Sequence, residues 1–206
     1  MAPGVKLFSF VMLLYIDIET FSENGFRSDS TKVISVQYRD FDGNTKILKE
    51  WESSEKNILS SFLTDLKIMR RDGFLILVGH NILRFDVPTL IRRMAANGID
   101  GHGNLEDFFC NIATVDTLQC MLPFNGMRFK GLNADDVSSR LDISGPRHRN
   151  TEVESFYRNR DFKRIEDHAV ADLDFVQSLY WRLKREEVKP LTDATRNSTL
   201  KRPRHN

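Results

Sequence analysis

Cysteine is nearly absent: only Cys110 and Cys120 occur, and neither belongs to a CxxC pair. That excludes a disulfide framework and leaves a structural zinc site without spacing support, so two reduced thiols in a cytosolic protein are expected. No apolar run reaches the roughly 18 residues a membrane span needs. Net charge is also missing. The 30 Lys and Arg against 29 Asp and Glu leave +1, which excludes a protein that coats nucleic acid through global basicity. Neither a phosphate-cradling GxxxxGKS or GxxxxGKT loop, nor a GxSxG elbow, nor an HExxH pair appears. The chain carries no internal repeat.

What is present is an ordinary composition, 40% apolar and 29% charged over 206 residues, enough for one domain with a sizeable core. The charge is uneven. Residues 189–206 hold Lys189, Arg196, Lys201, Arg202 and Arg204 against the single acid Asp193, so the rest of the chain is net negative. A polyanion would have to be held by a local groove, by bound metal or by this basic tail, which otherwise reads as a solvated terminus. Residues 5–16 have the apolarity of a signal-peptide core, but an acidic pair follows instead of a small-residue cleavage site. The expectation is a cytoplasmic or nucleoid-associated protein, not secreted, with no membrane partner, monomeric or weakly oligomeric.

Hydrophobic period organises the chain. The first strand is expected at about residues 7–18, and TKVISVQYRD (31–40) alternates as a half-buried strand should. A turn at 41–44 leads to TKILKEW as a third strand, giving an antiparallel meander. The period then lengthens. SEKNILSSFLTDLKIM is helical, with Ser53 or Ser54 as N-cap. FLILVG (74–79) reads as a central parallel strand and VPTLIRRMAANG (87–98) as a helix that Gly98 ends. NIATVDTL (111–118) reads as another strand, and LNADDVSSRL, TEVESFYR and RIEDHAVADLDFVQSLYWRLKR as helices. The predicted fold is α/β: an antiparallel three-strand meander followed by parallel strands, with helices on both faces. One domain spans 1–188, and 189–206 form the tail.

Carboxylates stand out against that frame. In YIDIET, period two puts Asp17 and Glu19 on one strand face, about 7 Å apart. Two acids so close are costly to bury unless a cation neutralises them, and hard oxygens at this spacing suit Mg²⁺ or Mn²⁺. The alternative is a strand that has left the core by Asp17, with both acids in solvent. In GHNILRFDVPTLIRR (79–93), Asn81 follows a strand end and Asp86 precedes a helix, as an N-cap, as an oxygen offered to a metal, or as both. In IEDHAVADLDFVQSLYWRL, His168 and Asp172 lie about 40° apart and interrupt an apolar stripe. Asp167 and Asp174 fall roughly 100° or more outside it and read as surface charges. A core histidine bonded to its i+4 aspartate satisfies the same placement.

Together and in this order, DIET, GHNILRFD and HAVAD resemble the three exonuclease motifs of the DEDD superfamily of 3′–5′ exonucleases, most closely those of the proofreading domain of B-family DNA polymerases. VDTLQ (115–119) and GLNADDVSSRLDI (131–143) are similar to segments between that domain's second and third motifs, so the likeness covers about residues 12–185. It implies a ribonuclease-H-like fold in a free-standing domain, since no polymerase domain follows. It further implies two Mg²⁺ or Mn²⁺ ions on Asp17, Glu19, Asp86 and Asp172, and removal of nucleoside 5′-monophosphates from 3′ ends. Single-stranded or frayed DNA is the implied substrate.

Thr20 and Phe21 stand where the family's motif contacts the terminal nucleotide, and Asn81 matches an asparagine near the 3′ end. Phe21 read alone is an aromatic covering the sheet edge, and Phe85 is expected in the core. One position departs from the pattern. The polymerase-type branch carries tyrosine four residues before the last aspartate, and the other large branch carries histidine five before it. Here His168 stands four before Asp172. An imidazole takes a proton near neutral pH more readily than a phenol with a pKa near 10, so His168 is expected to position or deprotonate the attacking water. Two other outcomes stay open: an exoribonuclease, because nothing reports on the 2′-OH, and a catalytically silent nucleic-acid-binding module of a replication or repair complex.

Overall fold

Alternating apolar residues early in the chain pair into the expected meander. The computed structural model describes residues 11–23, 31–99, 104–145 and 150–191, so positions 7–10 of the expected first strand lie outside it. Strands β1 (Val11–Phe21), β2 (Lys32–Asp40) and β3 (Thr45–Lys49) are antiparallel in sequence. The Asp40 carboxylate closes the β2–β3 turn by accepting the Asn44 backbone and side-chain N–H groups at 2.9 and 2.8 Å. β1 does not stop at Ile18 but continues to Phe21, so the acid pair sits inside the ladder.

β4 (Phe74–Gly79) lies parallel to β1 and β5 (Ala113–Asp116) parallel to β4, giving the order β3-β2-β1-β4-β5. This is a mixed, ribonuclease-H-like α/β sheet. The strand expected over 111–118 is shorter because Asp116 caps a helix that starts at Thr117.

Seven α-helices are described: α1 (Glu55–Asp72), α2 (Asp86–Ala96), α3 (Leu105–Cys110), α4 (Thr117–Met121), α5 (Ala134–Leu141), α6 (Asn150–Arg158) and α7 (Phe162–Lys184). They cover both faces of the sheet. Phe62 and Leu66 of α1 and Leu90 and Met94 of α2 pack on the Leu14, Ile16 and Ile18 face of β1. Leu173, Val176 and Leu179 of α7 pack on the other face against Tyr15 and Val78. Truncating a fully buried ring such as Phe62 costs about 3–5 kcal/mol.

Ser54 caps α1, its hydroxyl accepting the Asn57 N–H at 3.2 Å. Gly98, at φ +65°, takes the chain out of α2. Glu55 locks these helices to the sheet. It accepts Arg93 Nε and Nη2 at 2.7 and 2.6 Å and the Val33 N–H at 2.8 Å. Burial pushes its carboxyl up, but Arg93 and these donors hold it below the usual range.

β2 is not half-buried as its alternation suggests. The register steps from Glu19–Ser35 to Thr20–Val33, leaving Ile34 unpaired on β1. Both faces of the strand are covered, and Ser35 and Gln37 are fully buried. Asp167 and Asp174 lie at the surface in ion pairs with Lys163 and Arg39. At the other end Val188 and Leu191 join the α7-side core, and the Leu191 N–H donates to the Phe124 carbonyl at 2.7 Å. The chain is therefore anchored beyond the expected boundary at 188, and residues 192–206 of the tail lie outside the described residues. Cys110 and Cys120 are exposed and free. Among the described residues no helix is long and apolar enough to cross a membrane.

Candidate active site

The pleat turns Asp17 and Glu19 to the α7 side of β1, opposite Gln37 and Ser35 of β2. Glu19 has not left the core, at 5% exposed, and Asp17 is half-buried. Gln37, itself fully buried, donates its amide to Asp17 Oδ2 at 2.5 Å and to Glu19 Oε1 at 3.4 Å. Asp86 is the first residue of α2 rather than its N-cap; that place belongs to Phe85, which makes no side-chain cap. The Asp86 carboxyl is thereby free to turn inward, and its Oδ1 is buried without a hydrogen-bond partner. Asp172 enters from α7, also with an unpartnered Oδ1. His168, one turn earlier and fully buried, brings Nε2 to 3.3 Å from Asp172 Oδ2 and 3.7 Å from Glu19 Oε1.

These four carboxyls line one cleft of about 780 Å³. Electrostatics records how close they are. Burial pushes Asp17 up to about 7, with hydrogen bonds from Gln37 and the Ile18 backbone working the other way. Burial, then repulsion from Asp17, Asp172 and Asp86, holds Glu19 well above the carboxylate range. Asp86 is raised by burial and by Asp17, and Asp172 by burial, Asp17, Asp135 and Asp86. Among the described residues no lysine or arginine pairs with any of them.

Such a set fits a divalent cation. Glu19, His168 and Asp172 each offer a ligand atom within 4.8 Å of the others, and Asp86 Oδ1 and Asp172 Oδ1 are buried without a hydrogen-bond partner. Buried unpaired carboxylates cost several kcal/mol, and hard oxygens are the ligands Mg²⁺ and Mn²⁺ take. His168 stands among these candidate ligand atoms.

The loop between β4 and α2 forms the cleft's second wall. Asn81, at φ +64°, lines it with a buried Oδ1 that has no hydrogen-bond partner. Asp116 shapes this loop, accepting the Asn81 N–H at 2.9 Å and the Leu83 N–H at 3.2 Å while capping α4 through Leu118 and Gln119. His80 ties the loop to the next segment, its Nε2 2.7 Å from the Leu132 carbonyl and its Nδ1 3.0 Å from Thr117 Oγ1. Nε2 donates, since a carbonyl can only accept, and burial holds the His80 pKa below its ordinary value.

Two expected substrate contacts are not at the cleft. Thr20 is buried and does not line it. Phe21 is the last residue of β1 and is buried rather than laid over the sheet edge. Its ring packs with Ile34, Val153, Phe156 and Ile165, with its centroid 4.8 Å from that of Tyr157, and would have to leave the core to stack on a base. Phe85 packs against the α1–α2 core as expected, yet also lines the cleft. Gln37, Asp116 and Asp135 carry no motif that marks them in the sequence. Gln37 opposite Asp17 was the available signal, though it needed the strand register.

No protein-family model and no curated protein matches this chain. Solved structures do. The family B DNA polymerase from the hyperthermophilic archaeon Pyrobaculum calidifontis superposes on 84% of the chain with a TM-score of 0.65 and 17% identity. The fold is one carried within a B-family DNA polymerase. The match takes in only 24% of that polymerase's chain, and at this identity it speaks for the fold alone.

Proposed function

We propose that the protein is a metal-dependent 3′–5′ exonuclease of the DEDD type, acting by preference on single-stranded or frayed DNA ends. One observation carries the reading: Asp17, Glu19, Asp86 and Asp172, from one strand and two helices, line a single cleft with His168 against two of them. The sequence resemblance supplies the reaction type, and the polymerase-like fold is compatible with it.

The four acids would hold two divalent ions, which supply a water of lowered pKa and offset charge on the leaving oxygen. The substrate's phosphate completes the charge balance that these carboxylates lack. Asn81 Oδ1 accepts a hydrogen bond from the terminal nucleotide. His168 Nε2 takes the proton of the attacking water as its oxygen bonds to phosphorus. The bond from phosphorus to the 3′ oxygen of the preceding nucleotide breaks, that oxygen takes a proton from solvent water, and a nucleoside 5′-monophosphate leaves. Glu19 and Asp172 stabilise the imidazolium so formed.

End-labelled single-stranded DNA, RNA and mismatched duplex, each with Mg²⁺ or EDTA, test the proposal. Stepwise loss of mononucleotides from DNA is expected with Mg²⁺ alone, and none from Asp172→Ala. His168→Ala should slow the reaction by about 10²–10⁴-fold. Faster trimming of RNA would move the substrate class, and tight binding without cleavage would overturn the enzyme reading.

A further inference from the structure

The cleft is acidic at its centre but changes character at its rim. Arg84 and Phe129 both line it, and the Arg84 guanidinium lies 4.9 Å from the Phe129 ring centroid. Phe129 is 49% exposed, and Arg128 and Lys130 flank it, also exposed. We propose that this Arg84–Phe129 platform, with Arg128 and Lys130, is a stacking and phosphate-gripping track for a single nucleic-acid strand leading into the cleft. The inference rests on the nuclease reading for where the strand goes.

The platform is built rather than incidental. Asn125, fully buried, donates its side-chain amide to the Arg128 carbonyl at 2.5 Å and the Lys130 carbonyl at 3.1 Å. The Met127 N–H returns to the Leu122 carbonyl at 2.8 Å, with Gly126 and Met127 both left-handed at φ +60° and +58°. Next to them Gly131 sits at φ +82°, and a Cβ there would lie 2.8 Å from Arg140 Nη2. The loop is therefore shaped from inside, and an aromatic ring held half in water on a shaped loop is available to a partner.

Charge and stacking select the class of partner. Asp135 and Asp136 also line the cleft, so a polyanion approaching it meets carboxylates unless cations draw its phosphates elsewhere. Arg84, Arg128 and Lys130 supply those cations at the rim. An aromatic face with a guanidinium over it takes any base, which suits a strand bound regardless of sequence.

The test is anisotropy of a fluorescein-labelled oligothymidylate of about twelve nucleotides, a length such grooves hold. It is run with Mg²⁺ in the Asp172→Asn background, so that the strand is bound and not consumed. Phe129→Ala should weaken affinity about ten-fold with an unchanged melting temperature, and Phe129→Tyr, which keeps the ring, should restore it. Arg84→Ala and Lys130→Ala should each lower the salt slope by about one. Affinity of Phe129→Ala within two-fold of the parent, or a Tyr variant as weak as Ala, overturns the track and leaves the ring to a protein partner. The two readings fail separately. Cleavage by an enzyme with Asp172 restored, indifferent to Phe129, sinks the track alone; Phe129-dependent binding with no cleavage sinks the nuclease alone.

Discussion

Gln37 Nε2 lies 2.5 Å from Asp17 Oδ2, across the β1–β2 ladder. A neutral amide is thus the side-chain donor that a buried acid in the candidate site receives, and it reaches Glu19 as well. Replacing it should expose how far these carboxylates depend on it. In EDTA at pH 8, Gln37→Leu should lose about 1–3 kcal/mol of stability, the cost of leaving buried acceptors unpaired. Urea unfolding of the two proteins measures this, and equal midpoints would mean that the amide does not hold the acid pair.

Cations should relieve the same strain. Four carboxyls whose charged forms burial and mutual repulsion disfavour become good ligands once a divalent ion is present. At an ion concentration of about 100 Kd, binding adds about 2.7 kcal/mol to stability. For a chain of 206 residues this corresponds to a rise in melting temperature of roughly 5–10 °C in Mg²⁺ or Mn²⁺. Asp17→Ala should abolish the rise. A wild-type melting temperature indifferent to both ions would remove the metal site.

Without metal, stability should fall as pH rises. All four pKa values are raised in the fold, so the folded chain keeps protons that the unfolded chain has released once pH passes about 4. The loss runs from there through about 7, where Asp17 ionises, and the raised pKa values of the other three add to the same fall. In EDTA the protein should therefore be more stable at pH 5 than at pH 8. In saturating Mg²⁺ this slope should flatten, because the ions favour the charged forms. Parallel pH profiles in EDTA and Mg²⁺ would contradict this.

The acids were legible because each stood out against a period. Asp17 and Glu19 share a strand face at spacing two, and His168 and Asp172 break a helical stripe. Asp86 was ambiguous, since a carboxyl at a helix start serves as cap or ligand, and only the backbone shows that Phe85 holds the cap position. What escaped depends on long-range register. Gln37 meets Asp17 through strand pairing, and the step that leaves Ile34 unpaired next to the site has no local signature. Phe21 was misread because the helices that bury it lie more than a hundred residues further along the chain. α3 and α4 are too short for a period to show.

Asp116 offers the sharpest test of how the fold aims the site. Its carboxylate accepts four backbone N–H groups: those of Asn81, Leu118 and Gln119 at Oδ1 and that of Leu83 at Oδ2. Asp116→Ala strips the α4 cap and frees the loop that carries Asn81 and leads into Asp86, at a cost of about 2–4 kcal/mol. Asp116→Asn keeps one acceptor oxygen, so it should fall between. Asn also removes a negative charge close to Asp86, so metal affinity should drop as well. Hydrogen exchange separates positioning from general destabilisation. The Asn81 and Leu83 amides should exchange faster in Asp116→Ala while those of Ile16 and Leu77 stay protected. If Asn81 and Leu83 exchange as in the wild type, the loop is held by something other than this carboxylate.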